Sequence, residues 1–121
     1  MNCIFCSDIK KLKTTNLSYA TTDKYPVTKG HTLIIPNRHV SSYFDLTDEE
    51  KKDLFNLLEE VKVHLDEQHS PDGYNIGIND GEAAGQTVMH LHVHLIPRYK
   101  GDTEDPRGGV RWIFPEKAKY W

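Results

Sequence analysis

The most constraining feature of this sequence is Gly85–Tyr99, GQTVMHLHVHLIPRY, in which Met89, Leu91, Val93 and Leu95 alternate with His90, His92 and His94. Successive side chains of a strand point to opposite faces, so the segment carries an apolar row on one face and an imidazole row on the other. A helix would scatter the same residues around its circumference. The alternation predicts a strand over Val88–Pro97, within a sheet that has core on one side and ionisable rings on the other. An unperturbed imidazole is substantially neutral at pH 7, so each ring can serve as nucleophile, proton carrier or metal ligand. A single histidine on such a face is ordinary; three in strict alternation describe a reactive surface.

The rest of the chain supplies neighbours for that strand. Asn16–Thr22 and His31–Pro36 read as short strands around the turn-rich DKYPVTKG, which predicts an antiparallel pair. Thr47-Asp-Glu-Glu50 is a capping box with acidic residues in the first turn, opening a helix that places Leu54, Leu58, Val61 and Leu65 on one face. Pro71 and Gly73 end it, and Tyr74–Ile78 reads as the next strand. These elements predict an α+β domain over residues 1–121, a length that supports one core. A net charge of -3 gives no electrostatic case for binding nucleic acid or an anionic membrane. The sequence offers neither a membrane span nor a secretory leader at its start, so a cytoplasmic protein is expected.

Between the last two strands lies Asn79–Thr87, NDGEAAGQT. Gly81 and Gly85 let backbone approach a ligand, and Asn79, Gln86 and Thr87 can donate hydrogen bonds, which suits a phosphate cradle. The same glycines also suit a plain tight connection. Its junction with the histidine strand is the stronger signal.

Taken together, HLHVHLI, KGHTLIIPNRH, DGYNIGINDG, AGQT and CIFC resemble the histidine triad (HIT) family, whose signature is His-x-His-x-His-x-x with x apolar. The matching segments run from Cys3 to Arg98, within a motif-bearing core of residues 1–99, and leave 100–121 as a variable tail. The resemblance implies a HIT fold: an antiparallel sheet of about five strands, one long and one short helix, and pairing into a homodimer. It also implies nucleotide hydrolase or transferase activity on dinucleoside polyphosphates or nucleoside phosphoramidates. In that reading His92 attacks the α-phosphorus and forms a covalent nucleotidyl-imidazole, which water then releases. His94 bonds the phosphate or leaving group and supplies a proton, and His31 completes the catalytic set. Asn79, Gly85, Gln86 and Thr87 hold phosphate oxygens, Asp23 holds ribose hydroxyls, and Ile4 and Phe5 touch the base. Lys24 departs from the family's aliphatic residue at the base. No metal is required for the chemical step.

Cys3 and Cys6, the only cysteines, are spaced C-x-x-C, which does not suit a secreted disulfide framework. With His39 and His90 they make a Cys2His2 zinc set of the kind found in several HIT-like proteins, and a closed set of four is structural. Zinc is favoured over buried thiols without metal, and a redox motif is disfavoured because no strand precedes Cys3 and no βαβ pattern surrounds it. Two other functions remain open from sequence: a zinc hydrolase with its metal on His90, His92 and His94 together, and a nucleotide-binding regulatory module with vestigial catalysis. The tail, with Trp112, Ile113, Phe114 and Trp121, is expected to reach a partner subunit's substrate pocket.

Overall fold

The computed structural model describes residues 2–121. Five strands, β1 (Lys13–Thr14), β2 (Ser18–Thr22), β3 (Thr32–Pro36), β4 (Gly73–Gly77) and β5 (Val93–Arg98), form one sheet in the order β1-β2-β3-β5-β4. Every neighbouring pair is antiparallel. A single α-helix, α1 (Asp48–His69), covers one face; the other helical pieces among the described residues are 3₁₀ turns, which take the place of the expected short helix. Among the described residues no helix is long and apolar enough to cross a membrane.

The capping box is built as the sequence requires: Thr47 accepts from the Glu50 N–H, and the Glu50 carboxylate accepts from the Thr47 N–H. Glu50 also receives two bonds from Arg38, which hold its carboxyl down at about 2. The helix ends at Ser70, which adopts a left-handed conformation immediately before Pro71. Leu54, Leu58, Val61 and Leu65, joined by Leu57, bury against Ala20, Ile34, Val93 and Leu95 of the sheet and Leu91 just before β5. Each such side chain contributes roughly 1.5–3 kcal/mol on leaving water. On the opposite face Tyr19, Leu33 and Ile35 form a smaller cluster with Phe5 and Ile9 packed on it.

The histidine strand is shorter than its alternation suggests, for β5 begins only at Val93. Upstream of it, β4 has ended at Gly77, opposite His94, and on the other side the Pro36 carbonyl is taken by the His90 ring. Residues 88–92 are tethered instead by Leu91 N–H to the Val40 carbonyl at 2.7 Å. The burial alternation continues through Leu91, Val93 and Leu95, but Met89 is 44% exposed and leaves the core row. His90 is fully buried, so the three rings do not form a uniform exposed face.

Candidate active site

The row divides into two centres with His92 between them. At one end the Nδ1 of His90 lies 3.4 Å from both Cys3 Sγ and Cys6 Sγ, and 3.2 Å from His39 Nδ1. Cys6 Sγ is 3.2 Å from His39 Nδ1, and all four donor atoms lie within 4.8 Å of one another. His90 Nε2–H donates to the Pro36 carbonyl at 2.8 Å, which places the ring proton there and leaves the Nδ1 lone pair facing the thiols. Two sulfurs and two imidazole nitrogens with an oriented tautomer are the donor set that a tetrahedral zinc requires.

At the other end are His94 and His31, joined Nδ1 to Nε2 at 3.0 Å. The Val27 N–H donates to His31 Nδ1 at 3.1 Å, so neutral His31 carries its proton on Nε2 and donates it to His94 Nδ1. His94 must then carry its own proton on Nε2. The same protonation makes Asp23, His31 and His94 unsuited to a metal, although their donor atoms also converge. Burial lowers the basicity of His31, opposed by the Asp23 charge. It pushes His94 down to about 4, with further lowering by His92 and His31.

His92 has the opposite arrangement. Its Nδ1–H donates to the His90 carbonyl at 2.9 Å, leaving Nε2 with a free lone pair. Its ring centroid lies 5.0 Å from Phe5 and 5.2 Å from His94. Among the described residues His92 belongs to neither converging donor set, so the three triad histidines do not share one metal position. That removes the geometric basis for a zinc hydrolase built on the whole row.

The glycine loop is organised by Gln86 rather than presented by it. Gln86 is buried; its side-chain amide donates to the Ser41 and Val88 carbonyls and accepts from the Gly81 N–H. Its own N–H is spent on the Gly81 carbonyl. The Gln86 groups expected to hold phosphate oxygens are in this structure bonded within the loop and to Ser41. Gly85, left-handed at φ +94°, and Thr87 are exposed. Thr87 lines a shallow groove with Ile4, His39 and Met89, whereas Asn79 stands on the His94 side. Ile4 lines that groove, and the Phe5 ring packs beside His92. Asp23 points one carboxylate oxygen at His31, 3.4 Å away, and accepts the Tyr25 N–H with the other.

Two further residues of these segments complete the scaffold. Asp80 accepts from Ser42 Oγ and the Tyr43 N–H, tying the loop to the segment before α1. Gly30 at φ +93° lets the chain pass over His69 and Pro97, where a Cβ would meet the His69 ring at 2.9 Å. Both lie in segments that resemble the family, Gly30 in KGHTLIIPNRH and Asp80 in DGYNIGINDG, but the motifs alone give neither a structural role. A cavity of about 560 Å³ opens beside His31, His94 and Asn79 and runs toward Arg98 and Val110.

A HIT domain family model matches residues 7–101, which contain His31, the loop and the whole histidine row. The chain belongs to the HIT family. The adenosine 5'-monophosphoramidase of Schizosaccharomyces pombe is 37% identical to this HIT chain, over 98% of it and 92% of the yeast protein. The asymmetrical bis(5'-nucleosyl)-tetraphosphatase of the same yeast is 47% identical over 73% of this chain, and the match spans 48% of that protein. The solved structure of a Zn-bound histidine triad family protein from Mycobacterium smegmatis matches with a TM-score of 0.76 at 34% identity, covering 86% of this chain and 80% of that one. Nucleotide hydrolases are thus among the relatives of this HIT protein.

Proposed function

We propose that the protein hydrolyses a nucleotide at its α-phosphate through a nucleotidyl-His92 intermediate, acting on dinucleoside polyphosphates or nucleoside phosphoramidates. The observation that carries this reading is the pair of opposed tautomers: His92 offers a lone pair on Nε2 and His94 offers a proton on its Nε2. Attack by His92 Nε2 forms a nitrogen–phosphorus bond, and the bond to the leaving atom breaks with its electron pair. An anionic α-phosphate docked against His94 favours the imidazolium; its second proton, on Nδ1, displaces the bond from His31 Nε2–H, and both N–H groups then face Asp23 Oδ2, 3.9 Å from His94 Nδ1 and 3.4 Å from His31 Nε2. The Nε2 proton of the imidazolium passes to the leaving atom. Water then attacks phosphorus, the electron pair returns to His92, and the water's proton returns to His94. Asn79, Gly85 and Thr87 stabilise phosphate oxygens, Phe5 with Ile4 meets the base, and Asp23 takes ribose hydroxyls on its remaining lone pairs.

The same reading gives Cys3, Cys6, His39 and His90 a structural zinc. When bound it supplies a crosslink between the N-terminal turn and the catalytic sheet. It also gives a homodimer, supported by the uncovered edge strand β4 with Ile76 56% exposed and by exposed Ile113, Phe114 and Trp121 of the tail.

Changing His92→Ala is expected to abolish turnover while nucleoside monophosphate binding and the melting transition persist. Rapid-quench mass spectrometry of wild type is expected to trap one nucleotidyl group on His92. An adduct elsewhere, or an active alanine variant, would sink the mechanism; tight binding with no turnover by wild type would favour a regulatory binding module.

A further inference from the structure

The Cys2His2 set is unevenly shielded from solvent. His90 is fully buried with its ring fixed by the Pro36 carbonyl, Cys3 is half-buried, and Cys6 and His39 are exposed. Both sulfurs converge on one nitrogen, each lying 3.4 Å from His90 Nδ1. They also belong to a single backbone turn: the Cys6 N–H donates to the Cys3 carbonyl at 3.1 Å and opens the 3₁₀ turn Ile4–Cys6. A bond between residues i and i+3 keeps their Cα atoms within about 7 Å, and a disulfide spans about 4.4–6.8 Å. Side-chain rotation is then enough to bring the sulfurs together.

A sulfur that ligates zinc does so as the thiolate, which is also the form that attacks a peroxide. Cys6 is the sulfur that solvent reaches, and Cys3 stands behind it as a resolving thiol. Attack of the Cys6 thiolate on hydrogen peroxide breaks the O–O bond, leaves a sulfenic acid on Cys6 and releases hydroxide. The Cys3 thiolate then attacks that sulfur, forms the S–S bond and expels a second hydroxide. Two electrons leave the sulfurs and reduce one peroxide. Disulfide sulfurs are no longer thiolates, and two imidazoles do not complete a tetrahedral site. The turn that loses its crosslink also faces the nucleophile. Between the two cysteines, the Phe5 ring lies 5.0 Å from the His92 ring and 6.0 Å from the His90 ring, centroid to centroid.

We propose that Cys3 and Cys6 are a reversible oxidation site, at which a peroxide closes a Cys3–Cys6 disulfide, the set gives up its zinc, and the loosened Ile4–Phe5 segment binds nucleotide more weakly. This is oxidation of the protein itself, distinct from dithiol catalysis on a substrate. The inference rests on the zinc reading and on the base meeting Phe5 and Ile4.

The test treats the full-length protein, purified with its zinc, with hydrogen peroxide, and reads peptide mass spectra, zinc release to a chromogenic indicator and AMP binding by calorimetry. A Cys3–Cys6 disulfide is expected, with one zinc released per disulfide and the Kd for AMP raised about three- to tenfold by the loss of aromatic packing. Oxidised protein should reload zinc only after dithiothreitol, whereas reduced protein stripped by a chelator should reload without it. Met89→Leu removes the exposed thioether of the adjoining groove and is expected to respond as wild type. A response lost in Met89→Leu would place the sensor at Met89 and overturn the assignment. Zinc retained after peroxide, sulfinic acid in place of the disulfide, or unchanged AMP affinity in the oxidised protein would overturn the switch alone. Reduced protein that holds no zinc would overturn the zinc reading and the switch with it.

Discussion

His92 and His94 are neighbours on one face with reversed proton placement, and the reversal comes from backbone groups. The His90 carbonyl takes the Nδ1 proton of His92, and the Val27 N–H fixes His31, which in turn fixes His94. The buried environment of His94 has a consequence for stability. Its value falls to about 4 in the folded protein, against about 6.5 for an unfolded imidazole. Below pH 6.5 the unfolded chain binds a proton that the native site refuses, so His94's neutral burial costs nothing above pH 6.5 and becomes progressively destabilising down to about 4. Urea midpoints measured between pH 7 and 4 should fall more steeply for wild type than for His94→Asn. Equal slopes would mean that His94 titrates as a free imidazole. The motif named these residues from sequence, but their tautomers depend on carbonyl and amide groups brought from other strands and loops.

At the level of elements, the helix and the N-terminal turn are held by different means. The α1 start is a local device, and Thr47→Ala should cost about 1 kcal/mol in chemical denaturation by removing the cap on the Glu50 N–H. Glu50→Ala should cost more, because it also strips Arg38 of its buried partner, with the excess disappearing as pH falls from about 4.5 toward about 2. The folded carboxyl is depressed, so its contribution is present above the unfolded value and lost on acidification. The N-terminal 3₁₀ turn Ile4–Cys6 has no buried residue of its own. Phe5 packs on Tyr19, Leu33 and Ile35 and its carbonyl accepts from the Tyr19 hydroxyl, and the rest of the turn's attachment should depend on the Cys2His2 set. Elemental analysis is expected to find one zinc per chain, and chelation should lower the melting temperature more than it lowers the activity of protein that remains folded. Metal-free purified protein, with Cys3→Ser unchanged in stability, would remove zinc from the account.

Over the whole molecule, the tail meets the histidine-bearing face of the sheet at one point and leaves its large apolar groups uncovered. Gly109 and Val110 line the cavity beside His94, while Ile113 and Val110 are each 73% exposed and Phe114 is 58% exposed. Next to an unpaired β4 edge, such residues suit a two-fold contact in which each tail meets the other subunit. Truncation after Gly109 should then weaken dimerisation and change substrate selectivity together, read by sedimentation and by paired kcat/KM values. A wild-type monomer at micromolar concentration, or a truncated form unchanged in mass and selectivity, would count against the contact.

Local pattern alone placed the capped helix and its apolar stripe, the pairing of β2 with β3, and the burial of Leu91, Val93 and Leu95 beneath histidines of the opposite parity. Those properties follow from periodicities of 3.6 and 2 and from side chains bonding their own turn, so neighbours in sequence suffice to specify them. The strand length, the full burial of His90 and the commitment of Gln86 to its loop needed the fold. Each depends on a competitor for a hydrogen bond that arrives from far along the chain: the Pro36 carbonyl for His90, and the Ser41 carbonyl for Gln86. The alternation in HLHVHL set which rings could share a face; only tertiary contacts decided that one of them joins two thiols, one keeps a free lone pair and one holds a proton.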